Sequence, residues 1–189
     1  MAILILGLAI FFAVHLAPVA RPDLRARGVA RLGEIGWKIA YSAASAIGFV
    51  LIVQGYGIAR ETPLFLWFPP AWTTHVNNTL MIAAVGVYLA GPFKGTVARA
   101  IRHPQLTGVK IWTLAHLIAN GQLHQVLLFG GFLAWAVASV VLINKRDGAR
   151  VRPEPAPRSR DLAHAGATVA AFLLVALVHN WLGVWPFPG

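Results

Sequence analysis

The distribution of basic residues along the chain most strongly limits what the chain can fold into. Of the 16 Lys and Arg residues, all but Arg60 fall in three clusters, at residues 21–38, 94–110 and 145–160. The stretches between the clusters are apolar and almost free of charge. This alternation is typical of a polytopic membrane protein, whose basic loops stay on the cytoplasmic side. The net charge of +10 therefore indicates topology and contact with membrane lipid, and we expect no nucleic acid partner.

The composition also favours an integral membrane protein. Hydrophobic residues make up 58% and charged residues 12% of the 189 residues, which leaves no room for a large water-soluble domain. We therefore predict a single transmembrane domain over residues 1–189. The chain has no cysteine, and this excludes disulfides, thiolate metal sites and thiol redox chemistry.

Six apolar segments predict an all-α polytopic membrane helix bundle with six transmembrane helices and with the N- and C-termini outside, on the periplasmic side. The predicted spans are residues 2–20, 39–59, 75–91, 104–119, 125–144 and 162–181. The fourth would be only about 24 Å long, which is short for a span. Residues 145–161 are polar and proline-rich and predict a flexible cytoplasmic loop.

The stretch RHPQLTGVKIWTLAHLIANG, residues 102–121, carries the strongest local signals. Pro104 fits the first turn of a helix, and the Asn-Gly pair at the end of the stretch is a stop signal. By helical periodicity Gly108 and Trp112 share one face, with His116 at its edge. Small residues on such a face let another backbone or a flat ligand come close.

Histidines inside a bilayer are costly and are therefore functional candidates. We predict that His15, His103 and His116 are the important ones, and that His75, His124 and His164 lie at helix ends facing water. Two neutral imidazoles from different helices are a usual way for a helical membrane protein to hold haem. The predicted spans contain no Asp or Glu, which argues against zinc hydrolase and di-iron chemistry.

Two alternatives stay open at this point. Any one of these histidines is equally well explained as a neutral side chain bonded to a neighbouring carbonyl. In addition, His15 is expected near the inner end of its span and His116 in the outer half of another. A shared iron would then require the short fourth helix to sit low in the membrane.

Four stretches resemble the NnrU family of bacterial membrane proteins. They are GLAIFFAVHLAP at 7–18, RLGEIGWKIAYS at 31–42, LIVQGYG at 51–57 and RHPQLTGVKIWTLAHLIANGQL at 102–123. The resemblance implies a multi-pass protein of the bacterial inner membrane that is associated with the expression or activation of nitrite and nitric oxide reductases in denitrification. Components of those reductases are then the expected protein partners.

The same motifs are similar to those of zeta-carotene isomerase, a distantly related haem-containing membrane enzyme. This similarity implies haem b as cofactor, with His15 and His116 as the two iron ligands. His103 lies in the RHPQ motif of both groups and is a further candidate for cofactor binding. The isomerase has a cysteine ligand where this chain has Thr113, so thiolate switching is excluded and isomerase activity is put in doubt.

The predicted haem pocket has walls and anchors beyond its two ligands. Its walls are formed by Trp112, Gly108 and Phe11, and Arg102 or Lys110 pairs with the haem propionates. The protein would then support denitrification by redox or nitric oxide sensing. The alternatives are a non-haem membrane assembly or regulatory factor and, further, a haem-dependent polyene isomerase, so that enzymatic activity is left open.

Overall fold

The computed structural model describes residues 1–187, and its regular structure in that range is helical, as the sequence predicts. The helices are α1 Ala2–Ala20, α2 Pro22–Glu61, α3 Thr73–Phe93, α4 Thr96–Ala100, α5 Pro104–Ala119, α6 Leu123–Asp147 and α7 Arg158–Trp181. The bounds of α1 and α5 are those predicted from the sequence. An isolated antiparallel bridge joins Phe65 to Gln122 in the connections before α3 and α6.

Five of the helices, α1, α2, α3, α6 and α7, are long and apolar enough to cross a membrane. Helix α5 has 16 residues, fewer than the roughly 20 that a span needs. Residues 1–187 thus form an all-α fold with five candidate membrane spans. The sixth span and the external location of both termini remain predictions.

The long helices lie side by side in one layer. In the order of packing they are α2, α1, α6, α5, α3 and α7, and each contacts chiefly its neighbours in this order. Helix α6 therefore separates α1, which carries His15, from α5, which carries His116. This arrangement places both candidate ligands against α6.

Glycines allow α1 and α2 to pack backbone against backbone. A Cβ added at Gly7 would lie 2.6 Å from the backbone nitrogen of Ile52, and one added at Gly48 would lie 2.9 Å from that of Phe11. Real Cβ atoms do not come this close, so only glycine fits at either position. Small residues at helix contacts are a common means of association in membranes, where apolar packing gains little from water exclusion.

Helix α2 is longer than the span predicted at 39–59, because it begins at Pro22. It is helical throughout except at Gly33, whose φ of 72° and ψ of 167° turn the chain sharply. Glycine tolerates this conformation because it has no Cβ. Residues 22–32 thus form an arm, which folds back so that the Trp37 ring lies directly on the backbone of Gly28. We call these residues the arm.

The three basic clusters meet at one end of the layer, here called the basic end, where α1, α3 and α6 finish and α2, α5 and α7 begin. The guanidinium of Arg150 donates hydrogen bonds to four consecutive carbonyl oxygens, those of residues 98–101, at 2.8–3.2 Å. The carboxylate of Asp161 accepts bonds from the backbone N–H and the hydroxyl of Thr96, both at 2.8 Å. The Arg150 bonds tie α4 and Ile101 to the connection between α6 and α7, and the Asp161 bonds tie α4 to the first turn of α7.

The loop predicted at 145–161 is shorter in the structure. Helix α6 continues to Asp147 and α7 begins at Arg158, so the connection spans residues 148–157. Arg150 anchors its first part, and the backbone carbonyl of Pro153 accepts a bond from Arg99 at 3.1 Å. Flexibility of the remaining segment stays a prediction.

Candidate functional site

His15 lies one turn after Phe11 on α1. Its Nδ1 is 2.7 Å from the Phe11 carbonyl oxygen, and since a carbonyl only accepts, Nδ1 carries the proton. The ring stacks on Phe11 with centroids 4.1 Å apart, and it meets Tyr41 and Trp135 edge-on. In the described part of the chain Nε2 has no hydrogen-bond partner, so the nitrogen that can bind a metal is free.

His116 repeats this arrangement on α5. Its Nδ1 donates to the Trp112 carbonyl oxygen at 3.0 Å, and its Nε2 has no partner among residues 1–187. The ring packs on Phe129 of α6 at 4.5 Å and on Trp112 at 5.7 Å. Both candidate ligands are therefore half-buried imidazoles whose tautomer and orientation are fixed by a carbonyl four residues earlier.

This donor set suits axial ligation of haem. Metal-binding histidines commonly donate their other ring N–H to a carbonyl or carboxylate, which fixes the ring and increases its basicity. A neutral histidine that serves only to satisfy a neighbouring carbonyl has the same Nδ1 bond. The free Nε2 leaves each imidazole able to coordinate a metal.

The two imidazoles are not in contact with one another. His15 meets Trp135 and His116 meets Phe129, six residues apart on α6, which corresponds to about 9 Å along the helix. Between them lies Phe132, whose ring contacts Phe11 at 5.7 Å and Trp112 at 5.6 Å. The difference in level expected from the sequence is therefore present, and aromatic rings bridge it.

The predicted pocket walls fall on different sides of α5. Trp112 faces α6, where it packs on Phe129 and Phe132. Gly108 faces α3, since a Cβ added there would lie 2.7 Å from the Cβ of Tyr88 and 2.8 Å from the Ala84 carbonyl oxygen. Gly108 is thus used for backbone packing between α5 and α3, while Trp112 and Phe11 remain beside the candidate ligands.

His103 joins two helices at the basic end. Its Nε2 donates to the side-chain oxygen of Asn144 at 2.9 Å, which holds the start of α5 against the last part of α6. Arg102 lies next to it, within electrostatic reach of Asp147. Lys110 is half-buried two turns into α5. Within the described residues neither cation forms a hydrogen bond or an ion pair with a candidate ligand.

Two of the histidines predicted to face water are buried, so that prediction was wrong for His124 and His164. Only 1% of His124 and 8% of His164 is exposed. Helix α7 begins four residues earlier than predicted, which places His164 inside the bundle with its Nε2 donating to the Gly86 carbonyl oxygen at 2.6 Å. His124 is at a helix end as predicted, since it is the second residue of α6, but its ring is buried and packs against the Tyr56 ring at 4.8 Å. His75 is exposed, as expected.

A third imidazole with the same tautomer was not selected from the sequence. The Nδ1 of His179 on α7 donates to the Val175 carbonyl oxygen at 2.8 Å. His179 also lies within electrostatic reach of His116. Its Nε2 has no hydrogen-bond partner in the range 1–187, so its ring is in the same state as those of His15 and His116.

Comparison with known proteins gives one positive result. The family model described as NnrU protein matches residues 3–186, nearly the whole chain. No curated protein and no solved structure matches the chain. Among the described residues no group of three or more His, Cys, Asp or Glu side chains is arranged to hold a metal ion.

Proposed function

The chain belongs to the NnrU family, and we propose that it is an inner-membrane protein that binds b-type haem through His15 and His116 and supports denitrification. Its role would be to sense redox state or nitric oxide for the expression or activation of nitrite and nitric oxide reductases. The observation that carries the haem assignment is the matched state of the two imidazoles. Each donates Nδ1–H to the carbonyl one turn earlier, and each leaves Nε2 free.

The surrounding residues support this assignment. Phe11, Phe132 and Trp112 surround the two imidazoles with apolar rings, which would exclude water from an iron bound to them. Arg102 or Lys110 would pair with the propionates at the basic end. When bound, haem would supply a redox-active iron, which suits electron transfer or the binding of a gas such as nitric oxide.

The protein residues would perform three tasks. The carbonyl groups of Phe11 and Trp112 hold the Nδ1 protons, so that both Nε2 atoms remain available as ligands. Phe132 sets the spacing between the ligand-bearing helices through its contacts with both. Trp135 packs edge-on against His15 and restricts rotation of that ring.

The test is an absorption spectrum of the protein, purified in mild detergent from cells with ample haem and recorded oxidised and dithionite-reduced. The wild type should show a Soret band that is lost in both His15→Ala and His116→Ala. His75→Ala is the matched control, because it removes an exposed histidine outside the site. Loss of the band in His179→Ala but not in His15→Ala would assign the pair to His116 and His179 instead.

The same preparation separates the rival functions. A colourless wild-type protein that co-purifies with a reductase component would favour an assembly or regulatory factor without haem. Bound polyene pigment would favour an isomerase. Against an isomerase is the presence of Thr113 at the place of that enzyme's cysteine ligand. Its buried hydroxyl donates to the carbonyl oxygens of Val109 and Lys110 within its own helix, at 3.0 and 2.9 Å.

A further inference from the structure

A cleft of about 290 Å³ opens at the basic end, where α1 finishes and the arm folds back on α2. Its lining combines apolar, aromatic and cationic side chains: Pro18, Arg25, Trp37, Lys38, Tyr41 and Ser42. The sharp turn at Gly33 creates the cleft, because it brings Arg25 of the arm opposite Lys38 of the span. The contact between the Trp37 ring and Gly28 holds the arm against the rest of α2.

The charged side chains at the cleft, two cations and one carboxylate, carry a net positive charge. Glu34 forms weak ion pairs with both cations, at 3.6 Å to Arg25 and 4.0 Å to Lys38. One carboxylate is thus shared between two cations, and more than half of each charged side chain is exposed. Each cation therefore retains donors for an external anion. Two basic side chains that line the same cleft can both donate hydrogen bonds to the oxygen atoms of one phosphate group.

The walls suit a lipid. Trp37 and Tyr41 are the residue types that concentrate at the membrane–water interface, and they stand here between an apolar span and a basic arm. Pro18 adds apolar surface at the end of α1. A soluble anion would gain nothing from these walls, whereas a phospholipid places phosphate and hydrocarbon side by side.

We propose that this cleft binds an anionic phospholipid, with the phosphate between Arg25 and Lys38 and the glycerol end of the acyl chains against Trp37 and Tyr41. Anionic headgroups attract basic residues at the membrane surface, and each such residue strengthens binding roughly fivefold. The bound lipid would fix the arm to the membrane. Only the Tyr41 ring would then separate the lipid from His15, the candidate haem ligand, because the centroids of these two rings are 5.6 Å apart.

The proposal is tested by native mass spectrometry of the full chain in detergent, titrated with phosphatidylglycerol or phosphatidylcholine. Wild type should prefer phosphatidylglycerol, and the double variant Arg25→Gln/Lys38→Gln should bind it about 30-fold more weakly. The matched control, Arg31→Gln/Lys145→Gln, removes two exposed charges that do not line the cleft and should bind like wild type.

Three results would overturn the proposal: equal binding of both lipids by wild type, equal losses in the two double variants, or displacement of the lipid by inorganic phosphate at millimolar concentration. A second measurement serves if the Arg25→Gln/Lys38→Gln protein fails to fold. Brominated phosphatidylglycerol should quench wild-type tryptophan fluorescence more than that of Trp37→Phe. Identical quenching of the two proteins would also refute the site.

Discussion

Replacement of Gly108 by alanine tests the packing that positions the His116 helix. The added Cβ would lie 2.7 Å from the Tyr88 Cβ and 2.8 Å from the Ala84 carbonyl oxygen, so α5 and α3 must separate by several tenths of an ångström. Overpacking of this kind costs about 1–3 kcal/mol. Helix propensity offsets part of this cost, since alanine is favoured over glycine by about 0.5–1 kcal/mol in a helix interior.

A matched control isolates the packing contribution. Gly130 lies inside α6, and a Cβ added there meets nothing within 4 Å, so Gly130→Ala gains the propensity without the clash. The difference between the two variants should therefore equal the overpacking cost alone, about 1–3 kcal/mol. Circular dichroism during SDS titration in a mild detergent measures it as a shift in the unfolding midpoint. Equal midpoints for the two variants would refute the close α5–α3 contact.

Further substitutions test contacts at the basic end. His103→Ala should destabilise the protein by about 1 kcal/mol in the same titration, because it removes the bond to Asn144; an unchanged midpoint would mean that this bond contributes nothing. Arg150→Gln should release the connection at 148–157 from α4, and a protease specific for glutamate should then cut faster after Glu154. Arg152→Gln is the control for that experiment, and equal cutting rates in the two variants would contradict the anchoring role of Arg150.

Much of the fold follows from local sequence. Helices α1 and α5 have the predicted bounds. Pro22, two residues after the end of α1, disfavours the helical conformation at Arg21, while Pro104 starts α5 and Asn120-Gly121 stops it. The arm was not predicted as a continuation of α2. Its position depends on the φ of Gly33 and on the contact between Trp37 and Gly28, neither of which has a local sequence signal.

Burial of individual polar residues could not be predicted from periodicity. His124 was expected at a water-facing helix end, yet the backbone at 64–66 pairs with residues 121–123 beside it. Such pairing joins segments that are distant along the chain. The depth of His164 likewise depends on where α7 begins, and helix boundaries are the least certain feature of a sequence prediction.

The candidate site was partly accessible from the sequence. The cost of histidine inside a bilayer indicated His15, His103 and His116, and family resemblance narrowed the iron ligands to His15 and His116. Helical spacing explains why each of these two meets the carbonyl four residues earlier. Their separation by α6 depends on the order in which the helices pack. The hydrogen bond from His179 to the carbonyl four residues earlier had a local sequence signal, because it needs only an imidazole inside an apolar helix. The proximity of His179 to His116 had no such signal.

The ligation of one haem by two imidazoles is best tested by electron paramagnetic resonance of the oxidised protein, recorded together with its haem content per chain. Two histidine ligands predict one haem per chain and a low-spin signal, which becomes high-spin or disappears when His15 or His116 is replaced by alanine. A haem-free protein, or a signal that survives both substitutions unchanged, would contradict the proposed site.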